Sequence, residues 1–94
     1  MKAEEVFRAL ADPTRRRILK LLREGSAPAG KLAEAFPITK GSLSHHFNIL
    51  KSADLIRSER RGQQIVYSLN TTVFEDAAAA ILDLFGSEAK GENS

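Results

Sequence analysis

A mainly α-helical fold with one small β-hairpin is predicted by three features of this 94-residue sequence. Apolar residues recur at helical spacing in five stretches, which predicts five amphipathic helices. Two short β-prone runs flank a glycine-containing turn late in the chain, which predicts a two-stranded hairpin, or wing. Two of the helices are joined by a three-residue turn, and the hairpin follows them directly. This order of elements is that of a winged helix-turn-helix.

The first two helices are predicted over Ala3 to Ala11 and over Pro13 to Glu24. The first has a large apolar face for its length and therefore needs a partner; that face comprises Val6, Phe7 and Leu10. The second begins well, because Asp12 can cap it and proline fits the first helical position. Its outer side carries the basic row Arg16, Lys20 and Arg23. This row suits phosphate contacts, but charged rows on exposed helices are often only solvated, so both interpretations stay open.

A third helix is predicted over Ala29 to Phe36, and the turn Pro37-Ile38-Thr39 leads into the fourth, from Thr39 to Lys51. Thr39 is a good N-cap for the fourth helix. Leu43, Phe47 and Leu50 recur at helical spacing and predict a stripe that faces the core. The opposite side has no carboxylate and suits base edges and phosphates, so we expect DNA contacts there from Lys40, Gly41, Ser44, His45, Asn48 and Lys51. We expect His46 to pack at the edge of the core stripe as a structural histidine.

The hairpin is predicted from the runs Leu55 to Glu59 and Ile65 to Leu69. Cations and amides cluster at its tip, where they can reach a neighbouring phosphate or a minor groove. These residues are Arg60, Arg61, Gln63 and Gln64. Polar tips also occur for solubility alone, so the tip supports the DNA interpretation only together with the helix before it.

The last helix is predicted to begin at Thr72, with Glu75 completing a capping box, and to stop at Gly86. Its apolar stripe has an alanine-rich middle and comprises Phe74, Ala77, Ala78, Ile81, Leu82 and Phe85. A small domain has little core left to cover this stripe, so we predict that it pairs with its symmetry mate beside the first helix, forming a homodimer. The alternative is that it folds back on its own domain. Residues 1–86 are predicted to form one domain and residues 87–94 a disordered tail.

Charge is unevenly distributed along the chain. Residues 1–39 carry eight basic and five acidic groups, residues 40–71 five and two, and residues 72–94 one and five. The body is therefore basic, which suits a polyanionic partner, and the last helix and tail are acidic. There is no cysteine, which excludes disulfides and thiolate metal sites and fits a cytoplasmic protein. The N-terminus has neither a signal peptide pattern nor a run long enough for a membrane span.

Three segments together resemble the ArsR family of winged helix-turn-helix repressors, and its SdpR-type autorepressor branch in particular. They are ALADPTRRRIL at 9–19, LSHHFNILKSADLI at 43–56 and RRGQQIVYSLN at 60–70. The resemblance covers about residues 4–85. It implies a homodimer built by the first and last helices, two recognition helices on a two-fold symmetric operator of double-stranded DNA, and repression of its own operon relieved by a protein partner. It also adds Ser42 to Lys40, Ser44 and His45 as candidates for base or phosphate contacts, and implies wing contacts from Arg60, Arg61 and Gln63.

The sequence departs from the metal-sensing members of that family. The segment KLAEAF at 31–36 has no cysteine, and Glu75, Asp76 and Asp83 on the last helix have no histidine partner. A zinc site needs about four converging N, S or O ligands. We therefore expect no metal and no cofactor.

Two other functions are weighed against DNA binding. An enzyme would have to use His45 and His46, but adjacent residues on a helix point about 100° apart, and no phosphate-binding loop or nucleophile elbow is present. A winged helix can instead serve as a protein-docking module without DNA contacts. Such a docking face would tolerate acidic residues, and the fourth helix and the hairpin tip expose none centrally.

Overall fold

The computed structural model describes residues 1–86, which form five helices and one three-stranded antiparallel sheet. In chain order these are α1 (Ala3–Leu10), α2 (Pro13–Leu22), β1 (Ala27–Pro28), α3 (Ala29–Glu34), α4 (Lys40–Ser52), β2 (Ile56–Arg61), β3 (Gln64–Leu69) and α5 (Thr71–Leu84). The predicted winged helix-turn-helix is confirmed. The tail predicted at 87–94 lies outside the described residues.

The apolar stripes of all five helices and the start of the wing meet in one core. Its largest fully buried side chains are Ile18, Leu50, Leu55 and Val6. The predicted inward residues of α2 and α4 are all in this core: Ile18, Leu19, Leu22, Leu43, Phe47 and Leu50. Within the described residues, no helix is both long enough and apolar enough to cross a membrane.

The start of α4 is fixed by its cap. The Thr39 side-chain oxygen accepts a hydrogen bond from the Ser42 backbone N–H at 3.0 Å. This bond satisfies one of the free N–H groups of the first turn. At the other end Asp54 adopts φ +62°, the left-handed conformation that an aspartate tolerates less well than a glycine.

The wing is a hairpin in which Ile56 lies opposite Leu69 and Arg61 opposite Gln64. Gly62 takes φ +63° in the two-residue turn, a conformation available to glycine without steric cost. The wing packs against α4 through the Phe47 and Tyr67 rings, which lie 4.2 Å apart between centroids. At the open end of the hairpin, the Asn70 N–H donates to the Leu55 carbonyl at 2.9 Å.

The sheet has a third strand that the sequence did not reveal. Ala27 pairs with Tyr67 and Pro28 with Val66, so the segment between the second and third helices is the edge strand β1. A two-residue strand is too short for a periodic signal. Proline is tolerated there because an edge strand need not donate on its outer side.

The start of α5 differs from the prediction. Its N-cap is Asn70, whose side chain accepts from the Val73 N–H at 3.5 Å, so the predicted capping box from Thr72 to Glu75 is wrong. The helix ends before Gly86 at φ +78°, as predicted.

The predicted dimer surface is corrected at two positions. Val6 and Ala77 are 0% and 2% exposed because both pack inside the domain's own core. They therefore have no surface to offer a second copy. The C-terminal end of α5 is open, and Leu84 and the adjoining Phe85 are each 80% exposed.

Candidate nucleic-acid interface

The outer face of α4 presents a continuous polar surface. Every side chain or backbone position predicted there is exposed: Lys40, Gly41, Ser42, Ser44, His45, Asn48 and Lys51. The inward stripe is anchored in the core, so this face is held outward by packing rather than by chance orientation. Its donors and acceptors come from two hydroxyls, an imidazole, an amide and two ammonium groups, and α4 contains no carboxylate.

The two adjacent histidines have different surroundings. His45 is exposed on the outer face, whereas His46 is largely covered and its Nδ1 lies 3.2 Å from Nη1 of Arg15. The prediction that His46 is a structural histidine is confirmed. The two rings are 6.0 Å apart between centroids, so His45 stands directly beside this contact.

The wing arginines point to opposite faces of the hairpin. Side chains alternate along a strand, and Arg60 lies opposite Ile65 on the face that also carries Tyr67 and packs toward α4. Arg61 shares the other face with Glu59, and its Nη2 donates to Glu59 Oε1 at 3.1 Å. Gln63 is exposed in the turn. Arg61 is thus paired with an acid in the free protein, a contact that the sequence analysis did not anticipate.

Helix α1 also borders the outer face of α4, and the sequence analysis did not predict this. A depression of about 300 Å³ between α1 and the C-terminal half of α4 is lined by Glu5, Arg8, His45, Asn48, Ile49 and Ser52. One acid and one base from α1 therefore flank the outer face of α4. No local pattern reveals this neighbourhood, because the two segments are some forty residues apart in sequence.

The basic row of α2 lies away from the outer face of α4. Arg16, Lys20 and Arg23 line a groove together with Phe74, Ala78 and Ile81 of α5. Nη1 of Arg16 also donates to the Leu10 carbonyl at 2.8 Å. This row therefore borders the α5 surface rather than the candidate nucleic-acid interface.

Among residues 1–86, no three or more histidine, cysteine, aspartate or glutamate side chains converge as a group that could hold a metal ion.

Known proteins are similar to this chain in sequence and in fold. A helix-turn-helix domain family matches residues 10–59, which span α2, α3, α4 and part of the wing. The transcriptional repressor SdpR of Bacillus subtilis is 52% identical over 88 residues, which cover 94% of this chain and 94% of that protein. This chain belongs to the ArsR family of winged helix-turn-helix transcriptional repressors.

Further relatives and solved structures agree with that assignment. The arsenical resistance operon repressor of Bacillus subtilis is 40% identical over 70 residues, covering 73% of this chain and 67% of that protein. The crystal structure of an ArsR family transcriptional regulator matches with a TM-score of 0.84 and 27% identity, over 99% of this chain and all of the other. An ArsR-like regulator from Rhodococcus matches with a TM-score of 0.78 and 29% identity, over 95% and 83% of the two chains. As an ArsR-family repressor, the chain is a DNA-binding regulator and not an enzyme.

Proposed function

We propose that this ArsR-family protein is a homodimeric repressor that places one α4 helix of each subunit in the major groove of a two-fold symmetric operator. The observation that carries the proposal is the outer face of α4, which is exposed, polar and free of carboxylates while its opposite side is locked in the core. A major groove admits a helix of this width. The two half-sites would lie about one DNA turn, ~34 Å, apart.

Base contacts come from the middle of α4 in this proposal. Ser44, His45 and Asn48 offer hydroxyl, imidazole and amide groups that match the donors and acceptors on base edges. Ser42, Lys40 and Lys51 lie nearer the ends, where hydroxyl and ammonium groups suit the phosphates on either side. Gly41 leaves open space on this face, which allows the helix backbone to approach the DNA closely.

The wing supplies contacts that do not depend on sequence. Arg60, Arg61 and Gln63 sit at or beside its turn, and the Phe47–Tyr67 contact couples its position to α4. We propose that they bind backbone phosphate or the adjacent minor groove. When DNA is bound, a phosphate replaces Glu59 as the partner of Arg61.

Dimerisation is proposed through the open faces of α1 and α5. Seven residues of the predicted dimer surface are exposed or half-buried and so accessible to a second copy: Phe7, Leu10, Phe74, Ala78, Ile81, Leu82 and Phe85. Phe7, Ile81, Leu82 and Phe85 are among the exposed large apolar side chains, an unusual concentration for a chain of this size. Burying them between two copies removes this area from water.

Repression in this scheme is steric, because a bound dimer blocks access to the promoter. We propose that it acts on its own operon without a metal, and that a protein partner relieves it. The similarity to the transcriptional repressor SdpR supports repression, and the absence of cysteine supports metal independence.

The decisive experiment is selection of bound duplexes from a random DNA library, followed by titration of the selected site. We expect a two-fold symmetric sequence with half-sites one turn apart, bound equally well with and without a chelator. Recovery of no consensus sequence, with wild-type affinity retained in His45→Ala and Arg61→Ala, would contradict DNA readout and favour the protein-docking alternative.

A further inference from the structure

Arg15 is a buried cation whose side-chain donors are directed at defined acceptors. It is 9% exposed. Its Nε donates to the Ala9 carbonyl at 2.7 Å and its Nη2 to the Arg8 carbonyl at 3.1 Å. These carbonyls belong to the last turn of α1, where the helix dipole favours a cation. The Arg8 carbonyl also accepts from the Ala11 backbone N–H at 3.2 Å. Arg15 therefore joins the start of α2 firmly to the end of α1.

The remaining arm of Arg15 reaches α4. Nη1 lies 3.2 Å from Nδ1 of His46. Arginine donates only, so Nδ1 must be the unprotonated ring nitrogen, and the proton of this imidazole is on Nε2. Asp12 completes the cluster, because its Oδ2 accepts from the Arg15 backbone N–H at 3.1 Å and lies 3.8 Å from the same Nδ1.

This contact differs in kind from the rest of the attachment of α4. Leu43, Phe47 and Leu50 hold the helix by apolar packing, which is strong but weakly directional. A hydrogen bond from a fixed guanidinium is directional. It acts on His46, the residue next to His45 on the outer face.

We propose that Arg15 and His46 are positioning residues that set the rotation of α4, and hence where His45 meets the DNA. The inference rests on the proposed function of α4 as the recognition helix. Side-chain tips lie about 5–6 Å from a helix axis, so a rotation of about 10° moves them by about 1 Å. A displacement of that size is enough to lengthen a base contact beyond hydrogen-bonding distance.

The test compares two substitutions of His46 that differ in the acceptor. His46→Phe keeps a ring of similar shape and removes the acceptor, whereas His46→Asn places an amide oxygen near the position of Nδ1. Affinities for the selected operator and for an unrelated duplex are measured by fluorescence anisotropy on the full chain, well below the unfolding midpoint of each variant. We expect His46→Phe to weaken operator binding about tenfold, with affinity for the unrelated duplex and the salt slope unchanged, and His46→Asn to recover most of the loss.

Arg15→Lys provides the matched test from the other side. Lysine keeps the charge, but its three N–H groups are on one nitrogen and cannot reach the three acceptors that surround the guanidinium. Operator affinity should therefore fall as in His46→Phe. Arg17→Lys, two residues away, exposed and placed over the Phe36 ring, is the control and should bind as wild type. In ¹⁵N-labelled wild-type protein, Nδ1 of His46 should show the chemical shift of an unprotonated ring nitrogen, a measurement that needs no variant.

Four outcomes would overturn the inference. They are a protonated Nδ1 in His46, wild-type operator affinity in His46→Phe, equal losses in the Phe and Asn variants, and parallel losses for both duplexes in proportion to unfolding. Should His46→Phe fail to fold, the ¹⁵N signal and the comparison of Arg15→Lys with Arg17→Lys decide. If wild-type protein has no preferred operator, the proposed function fails instead, whatever the state of His46.

Discussion

Glu59 Oε1 lies 3.1 Å from Nη2 of Arg61 on one face of the wing. Both side chains are well exposed, so the pair contributes little to folding. In the proposed complex its effect is on binding, because Glu59 would compete with phosphate for Arg61 and repel the DNA backbone. In the free protein, the charge of Arg61 is therefore partly neutralised by Glu59.

Replacing Glu59 by glutamine should strengthen DNA binding. We expect Glu59→Gln to raise affinity several-fold for operator and unrelated duplex alike, with a salt slope steeper by up to about one unit, since each phosphate contact contributes about 0.9. Glu24→Gln, which removes an exposed acid after α2, is the control and should change neither quantity. Unchanged affinity in Glu59→Gln would show that Arg61 does not bind phosphate.

His45→Ala should reduce sequence discrimination. Loss of a base contact is expected to weaken operator binding by about 1–3 kcal/mol and to leave affinity for unrelated DNA nearly constant. Arg61→Ala should instead weaken both duplexes and make the salt slope shallower by about 0.9. Gel-shift titrations over a range of salt concentrations separate the two patterns, and a uniform loss in His45→Ala would contradict its role in base readout.

Gly41→Ala should separate folding from binding. A Cβ built at Gly41 meets nothing within 4 Å, so alanine in α4 should raise the free energy of unfolding by about 0.5–1 kcal/mol. The same methyl group lies on the face proposed to approach DNA and should lower affinity for it. Gly30→Ala is a matched control, because Gly30 is also the second residue of a helix, α3, with nothing within 4 Å. We expect the same stabilisation there with unchanged DNA binding.

Introducing a charged side chain into the apolar α5 surface should dissociate the proposed dimer. Ile81 is 36% exposed, and Ile81→Asp is expected to shift the sedimentation coefficient at micromolar concentration from dimer to monomer. Leu21→Asp is the control, because Leu21 is 38% exposed on α2, outside the proposed interface. A monomeric wild type, or no effect of Ile81→Asp, would contradict the proposed dimer.

Asp12 should make stability depend on pH in the acid range. Burial raises the pKa of Asp12, but the backbone hydrogen bonds from Arg15 and Thr14 and the positive charge of Arg15 outweigh it and lower the pKa below its ordinary value of 3.8. The resulting stability is fully present above the unfolded-state pKa and is lost as pH falls through the lower folded-state pKa.

Asp12→Asn tests this because asparagine also caps helices but carries no charge. In urea unfolding, the free energies of unfolding of wild type and variant should differ by a constant amount above about pH 5. The difference should disappear as pH falls below the pKa of Asp12 in the unfolded chain. A difference that persists at the lowest pH would assign the effect to the cap geometry rather than to the charge.

Local periodicity was enough to predict α4 and its orientation. Leu43, Phe47 and Leu50 are spaced by helical turns, and Thr39 is a strong cap, so both the stripe and the helix start follow from neighbouring residues. The exposed face follows from the stripe.

Contacts between distant segments were not predictable in the same way. Arg15 belongs to a run of three arginines, and its burial depends on α1 carbonyls and on His46, 31 residues away. The N-cap of α5 was wrong because Asn70 and Thr72 are both suitable caps. The structure selects Asn70, whose backbone N–H is already fixed by the Leu55 carbonyl.

The position of β2 at the outer edge of the sheet has a consequence for how the protein is kept from aggregating. An edge strand of six residues is a template on which another chain can add, and long charged side chains discourage that addition. β2 carries Arg57, Glu59, Arg60 and Arg61. The arginines proposed to bind DNA thus also disfavour pairing of β2 with the edge strand of another molecule. A wing without them would aggregate more readily and bind DNA more weakly.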